Sequence, residues 1–164
     1  IIVLQLDALS ISWPSSDYLI ANLPFNITFP FLLKMVESWE FITAVLILQA
    51  ETVKVMTAKV NGFGYSPLSV IIQSFFRIES IIPLESDDFY PEPEVESVII
   101  RLMPKHLILP ESAKYVSPEQ RVLYTDFIRS LFTYKRKSFK NAISHLKSDN
   151  NSILVNFPQL GSKI

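Results

Sequence analysis

Two hydrophobic periodicities alternate along the first hundred residues. Residues 1–6 and 18–21 are short continuous apolar runs bounded by turn residues, the pattern of strands buried on both faces of a parallel sheet. Between residues 28 and 39 the apolar positions recur at helical spacing, and 43–48 is a further β-branched run. The order strand, helix, strand predicts a crossover unit. A helix over about 51–59, a loop at Asn61-Gly62-Phe63-Gly64-Tyr65 and a helix over 68–76 follow. Residues 77–84 and 95–103 then read as two strands joined by a loop holding Pro91 and Pro93, where a sheet edge closes.

Past Pro104 and Pro110 the pattern turns polar and helix-favouring. Ser117-Pro118-Glu119-Gln120 sets a cap residue, a first-turn proline and an acid ahead of Val122, Phe127, Ile128, Leu131 and Phe132, which opens a helix. A second helix over about 135–146 follows. The expected class is α/β: the C-terminal part of a doubly wound, Rossmann-like sheet over residues 1–105, then the start of a small helical domain over 106–164.

Composition narrows the function classes. A hydrophobic content of 49% with 19% charged residues suits a globular protein. No uncharged stretch reaches the roughly 18 to 20 apolar residues a bilayer span needs, and the one over 18–33 is broken by two prolines and two asparagines, so no membrane helix is expected. No cysteine and only His106 and His145 leave no disulfide framework and no zinc set, and fit a reducing, cytoplasmic setting. The chain begins inside an apolar run without a signal-peptide pattern and reads as a fragment. Its three glycines are few for a doubly wound nucleotide-binding fold, whose glycine-rich turn is expected in a preceding segment.

Charge is uneven although the net value is −1. Residues 129–147 hold six Lys or Arg and no acid, including Arg129, Lys135, Arg136, Lys137 and Lys140, whereas 85–96 hold six acids and no base. The basic run reads either as a solvated helix face or as a phosphate-binding surface.

Candidate chemistry centres on Asn22-Leu23-Pro24-Phe25. In an open α/β sheet, ligands bind beyond the carboxyl ends of the strands, where this tetrapeptide falls. Asn offers an amide donor and acceptor, Pro takes a carbonyl out of the ladder, and Phe offers a flat apolar face. Together they form a socket for a planar base with an exocyclic amine. On its own the tetrapeptide reads as a turn after a strand, with Phe25 in the core. Asp7, at the end of the preceding expected strand, and Phe89, before Tyr90-Pro91-Glu92-Pro93, add two further loops to one cleft.

These residues resemble the ribosomal RNA small-subunit adenine N6,N6-dimethyltransferase family (KsgA-like), with the erythromycin-resistance methylases as relatives. The likeness runs through Asp7-Ala8-Leu9, Ala21-Asn22-Leu23-Pro24-Phe25-Asn26-Ile27, Leu48-Gln49-Ala50-Glu51, Tyr65-Ser66-Pro67-Leu68-Ser69-Val70, the block from Phe89 to Ser97, and Phe132-Thr133-Tyr134-Lys135-Arg136-Lys137. The Phe89–Ser97 block and the helical block look most like the archaeal and eukaryotic branch.

The resemblance implies S-adenosylmethionine as methyl donor, with Asp7 reading the donor's adenine amine and Asn22 also at the donor site. It implies that Asn22 and Pro24 hold the target adenine's amine while Phe25 and Phe89 flank the flipped base. Positioning supplies much of the rate, because the amine loses its proton only after attack on the sulfonium methyl. Small-subunit ribosomal RNA or a pre-ribosomal subunit is the implied partner, met in part through the basic run, by a monomer. No DNA partner is expected, since DNA adenine methylases share only the Asn-x-Pro-aromatic element.

Departures from the family pattern are Leu6 for a usual glycine, Phe25 for a common tyrosine, and Pro67 and Glu94 where basic residues are frequent. The glycine-rich loop and the acid for the donor's ribose are absent from these residues, so activity is expected only of the full-length chain. A non-catalytic RNA-binding assembly factor on the same scaffold is the alternative.

Overall fold

The computed structural model describes residues 2–108 and 116–148. Ile1, residues 109–115 and residues 149–164 lie outside them, with the parts of the expected elements that fall there. The chain divides into two compact units, Ile1–Tyr115 and Val116–Ile164.

The first unit is built on a four-stranded sheet. Its strands are β1 (Tyr18–Asn22), β2 (Thr43–Gln49), β3 (Phe76–Leu84) and β4 (Ser97–Pro104), in the spatial order β1-β2-β4-β3. β1 and β2 are parallel, joined through α1 (Thr28–Ser38) as the expected crossover unit. β4 runs antiparallel to both β2 and β3. A mixed sheet with an antiparallel edge on parallel strands is a Rossmann-like arrangement.

Strand alternation decides what is buried. Ala44, Leu46 and Leu48 of β2 stand opposite Leu102, Ile100 and Val98 of β4, and all six are buried. Helices α1, α2 (Ala50–Met56) and α3 (Pro67–Phe75) add Leu32, Met35, Val36, Val53, Met56, Ile71 and Ile72 to this core. α3 starts where the Ser66–Ser69 capping box and Pro67 dictate. The Ser69 hydroxyl donates to the Val55 carbonyl at 2.6 Å, and the Gln73 amide donates to the Met56 and Ala58 carbonyls, so α3 is fastened to the end of α2.

Several expectations need correction. Residues 2–6 form no strand: Ile2, Val3, Leu4 and Leu6 are exposed and pair with no described strand. An apolar run becomes a strand only where a ladder partner takes its N–H and C=O groups. β1 is not buried on both faces either. It pairs with β2 alone among the described residues, and Tyr18 and Ile20 on one face are exposed. α2 stops at Met56 rather than 59, where the Thr57 hydroxyl turns back to the Val53 carbonyl at 2.8 Å. A short helix, α4 (Lys105–Ile108), follows β4 directly.

An aromatic plug closes the end of the sheet where β2 and β3 begin. Phe41 and Phe76 stack with centroids 5.8 Å apart, and Trp39 meets Phe76 edge-on at 5.6 Å and His106 at 4.7 Å.

The second unit holds α5 (Pro118–Thr133) and α6 (Phe139–Ser148). Ser117 caps α5, accepting from the Gln120 N–H while the Gln120 side chain accepts from the Ser117 N–H. The second helix begins at Phe139 rather than 135. Residues 134–138 form a turn in which the Lys137 N–H donates to the Tyr134 carbonyl at 2.8 Å. No helix among the described residues is long and apolar enough to cross a membrane.

Candidate functional site

Strand register places three loops at one end of the sheet. Asn22 ends β1 opposite Ile47 of β2, and Ser97 at the start of β4 stands opposite both Gln49 of β2 and Leu84 of β3. The turn after Asn22, the β2–α2 junction and the 85–96 loop therefore all leave the sheet on the same side. The Ala50 N–H donates to the Glu96 carbonyl at 2.9 Å, which ties the second of these to the third. This is the carboxyl end of the parallel pair, where open α/β sheets take ligands.

The tetrapeptide is a rigid turn with its polar groups outward. Leu23 alone is buried; its N–H continues the ladder to the Ile47 carbonyl at 3.4 Å and anchors the turn. Pro24 (φ −57°, ψ 138°) then redirects the chain into a 3-10 turn over Phe25–Ile27. Asn22 is exposed, and its side-chain amide makes no hydrogen bond among the described residues. Phe25 is 50% exposed, so it does not plug the core.

The Pro24 carbonyl is used within the chain. It accepts the Ile27 N–H at 3.1 Å and the Thr28 hydroxyl at 3.1 Å. The carbonyl left open is that of Leu23, which carries no hydrogen bond among the described residues and precedes a residue without an N–H. Leu23 and Thr28 thus join the candidate site, and the sequence reading did not name them. The signal was present in the proline: a residue that fixes the next turn also decides which carbonyl faces out.

Asp7 does not end a strand. It opens a turn: Oδ1 accepts the Leu9 N–H at 2.9 Å, Oδ2 accepts the Ser10 hydroxyl at 2.8 Å, and the Asp7 carbonyl accepts the Ser10 and Ile11 N–H groups. The Leu9 N–H, then the Ser10 hydroxyl, hold its pKa below the ordinary 3.8. Each carboxylate oxygen keeps a further lone pair for a ligand donor. Lys34 of α1 pins this turn, donating through Nζ to the Leu9 carbonyl at 2.8 Å and to the Ile11 carbonyl, with the ammonium 5.5 Å from the centre of the Trp13 ring.

A cavity of about 400 Å³ adjoins both segments. Ala8, next to Asp7, and Ala21, next to Asn22, line it together with Trp13 and Phe31. Four consecutive β1 residues, Tyr18, Leu19, Ile20 and Ala21, border it, so it follows the strand's open edge rather than one face. The Trp13 and Phe31 rings meet at 4.8 Å and give it an apolar wall. Asn22, Pro24, Phe25 and Phe89 are not among its lining residues.

Phe89 is half-buried beside the acidic 3-10 turn Ser86–Asp88, its N–H donating to the Ser86 carbonyl at 3.3 Å. It makes no ring contact with Phe25. In the second unit Lys135, Arg136 and Lys137 project from the α5–α6 turn and Lys140 from the first turn of α6, all exposed and without ion pairs among the described residues. Arg129 differs: its guanidinium lies 3.8 Å from the Asp126 carboxylate in an exposed pair, an interaction weak enough to give way to a phosphate. Among the described residues no group of three or more His, Asp or Glu is placed to hold a metal.

Comparison with known proteins identifies the family. The model of the family "Ribosomal RNA adenine dimethylase" matches residues 1–161. A ribosomal RNA small subunit methyltransferase A of Aster yellows witches'-broom phytoplasma is 35% identical over 77% of this chain and 44% of its own length. A Thermococcus kodakarensis protein named "Probable ribosomal RNA small subunit methyltransferase A" is 32% identical over 86% of this chain and 47% of its own. The chain thus spans about half the length of the relatives it matches. The crystal structure of a dimethyladenosine transferase from Plasmodium falciparum superposes with a TM-score of 0.71 at 25% identity, covering 98% of this chain and 57% of that one. The 23S rRNA methyltransferase ErmE shares the fold, with a TM-score of 0.55 at 21% identity over 79% of this chain and 50% of its own. With the match running from the first residue almost to the last, the chain belongs to the ribosomal RNA adenine dimethylase family.

Proposed function

We propose that the full-length protein transfers two methyl groups to the N6 amine of adenines in small-subunit ribosomal RNA. The observation that carries this reading is the outward, unbonded Asn22 amide beside the half-exposed Phe25 ring, at the ligand-binding end of the sheet. An adenine swung out of its helix needs an acceptor for each amine hydrogen and a flat surface for its ring. Asn22 Oδ1 and the Leu23 carbonyl supply the acceptors. Phe25 supplies the surface, and Phe89, in the loop that leaves the same end of the sheet, would supply the second ring. With both hydrogens held, the amine's lone pair projects away from the acceptors toward the donor.

The donor implied by the family is S-adenosylmethionine, which supplies a methyl group on a positively charged sulfur. The apolar cavity along β1 suits an adenine ring in size and character, and small ligands commonly occupy cavities of about 300–1,000 Å³. Asp7, whose carboxylate is held ionised by the Leu9 N–H and the Ser10 hydroxyl and which precedes the lining residue Ala8, would accept from that ring's amine. Ala8 and Ala21 leave room where larger side chains would fill the cavity. Holding acceptor and donor in reacting geometry is the main chemical contribution asked of these residues.

The second unit, with α5 and α6, then serves as an RNA-binding part rather than one starting at residue 106, with Lys135, Arg136, Lys137, Lys140 and Arg129 neutralising phosphates. The test is transfer of labelled methyl groups from S-adenosylmethionine to small-subunit ribosomal RNA by the full-length protein, followed by nucleoside analysis. The proposal expects N6,N6-dimethyladenosine. Tight RNA binding with no methylated adenosine would instead identify an assembly factor.

A further inference from the structure

Among the described residues, two aromatic side chains stand almost wholly in solvent: Phe63 at 97% exposure and Tyr90 at 102%. Leaving a phenyl ring in water is unfavourable, and the backbone around Phe63 prevents it from folding back. The Gly62 N–H donates to the Lys59 carbonyl at 2.8 Å, and the Tyr65 N–H donates to the Gly62 carbonyl at 3.2 Å. Asn61 adopts φ 64° and Gly64 φ 81°. A Cβ at position 62 would lie 2.9 Å from the Lys59 carbonyl oxygen, so only glycine fits there. The left-handed positions and the tight glycine fix a hairpin-like turn whose tip is Phe63. With Gly62 before it and Gly64 after it, neither neighbour has a side chain to shield the ring.

Charge distinguishes the two rings. Tyr90 lies in the 85–96 segment with its six acids and no base. Phe63 lies in the longest acid-free part of the first unit: from Thr52 to Ile78 there are Lys54, Lys59 and Arg77 and no Asp or Glu. Lys59, at the base of the turn, is exposed and makes no ion pair among the described residues. A polyanion is repelled by the first setting and admitted by the second. Protein partners ask for more than one ring: a specific interface buries about 800 Å² per side around a packed centre. Apart from Val60, the neighbours at this tip are Asn61, Gly62 and Gly64, which offer little area. A nucleobase needs only the open face of the ring and a cation near its phosphate.

We propose that Phe63 is a stacking platform for an unpaired base of the RNA that the protein binds, with Lys59 against the adjoining phosphate. This contact is separate from the Asn22–Phe25 socket and from the basic α5–α6 turn. It rests on the reading of the protein as an RNA-binding enzyme and adds to it a second, sequence-tolerant grip on single-stranded nucleotides.

The test uses the full-length protein and naked small-subunit ribosomal RNA. Phe63→Ala should weaken binding by at least about fivefold, the low end of what one stacked base contributes. It should leave the salt dependence unchanged, because a phenyl ring releases no counterions. Phe63→Trp should restore affinity, and its added fluorescence over that of Trp13 and Trp39 should be quenched as RNA is titrated in. Because the ring is exposed, Phe63→Ala should melt at the wild-type temperature, which separates a lost contact from a lost fold. Unchanged affinity of Phe63→Ala, alongside weakened binding of a Lys135/Arg136/Lys137→Ala variant, would overturn the loop contact and spare the RNA reading. Loss of binding to the assembled subunit but not to naked RNA would overturn it in favour of a protein contact. Failure of the wild type to bind RNA would sink both.

Discussion

The Thr28 hydroxyl donates to the Pro24 carbonyl at 3.1 Å, and through this bond the first turn of α1 holds the turn that follows β1. Thr28 is buried, and the carbonyl it engages also accepts the Ile27 N–H. With the Pro24 carbonyl engaged, the Leu23 carbonyl is the one without a hydrogen bond among the described residues, and it is the one the proposal assigns to the ligand. Thr28→Val keeps the shape and removes the donor. We expect a stability loss of about 1 kcal/mol in denaturant titration, typical of one intramolecular hydrogen bond. If Thr28 positions the turn, kcat for methyl transfer should fall while RNA affinity holds; unchanged kcat would leave it a purely structural residue.

Lys34 links α1 to the turn that carries Asp7, through the Leu9 and Ile11 carbonyls. Lys34→Met retains the aliphatic stem over Trp13 and deletes the ammonium. Hydrogen bonds to a charged donor are worth about 1.5–3 kcal/mol, so the turn should loosen. The expected outcome in the full-length protein is weaker S-adenosylmethionine binding by calorimetry, with RNA affinity unaltered. Equal donor affinity in variant and wild type would separate the 7–11 turn from the donor site.

The α5 cap carries a pH dependence of known sign. Glu119 lies in the first turn, and the Ser117 hydroxyl, donating to its carboxylate at 2.6 Å, holds its pKa below the ordinary 4.5. A carboxylate with a depressed folded pKa contributes stability above its unfolded pKa and loses it as pH falls through the folded value. Glu119→Gln should therefore melt below wild type at pH 7 by thermal circular dichroism. The gap should narrow once the pH drops below about 4.5 and close where Glu119 is protonated in both states. A gap of the same size at pH 3 and pH 7 would rule out this contribution.

Lys135, Arg136 and Lys137 project from one turn without carboxylate partners among the described residues. If each neutralises one phosphate, replacing all three with Ala should flatten the plot of log K against log salt by about 2 to 3 units. Filter binding across a salt series reads this directly. An unchanged slope would return these side chains to a solvated surface.

Much of the scaffold was legible because its signals are local. The Ser117-Pro118-Glu119-Gln120 start and the parallel β1-α1-β2 unit follow from caps, prolines and periodicity. What was not legible depended on partners. Residues 2–6 are as apolar as β2, yet β2 lies between two strands and they lie beside none. The same applies at the site. Residue type and position at a strand end were enough to make Asn22 and Phe25 candidates. Which carbonyl stays without a hydrogen bond was not legible, since it depends on where the Thr28 hydroxyl and the Ile27 N–H point. Asp7 was expected at a strand end, and its carboxylate instead builds a turn of its own.

The central claim is that Asn22 holds the adenine amine for methyl transfer, and Asn22→Ala in the full-length protein tests it most directly. The Asn22 side chain is exposed and makes no hydrogen bond among the described residues, so fold and RNA binding should survive the substitution. Transfer of labelled methyl groups to small-subunit ribosomal RNA should disappear. Methylation at the wild-type rate by that variant would contradict the account.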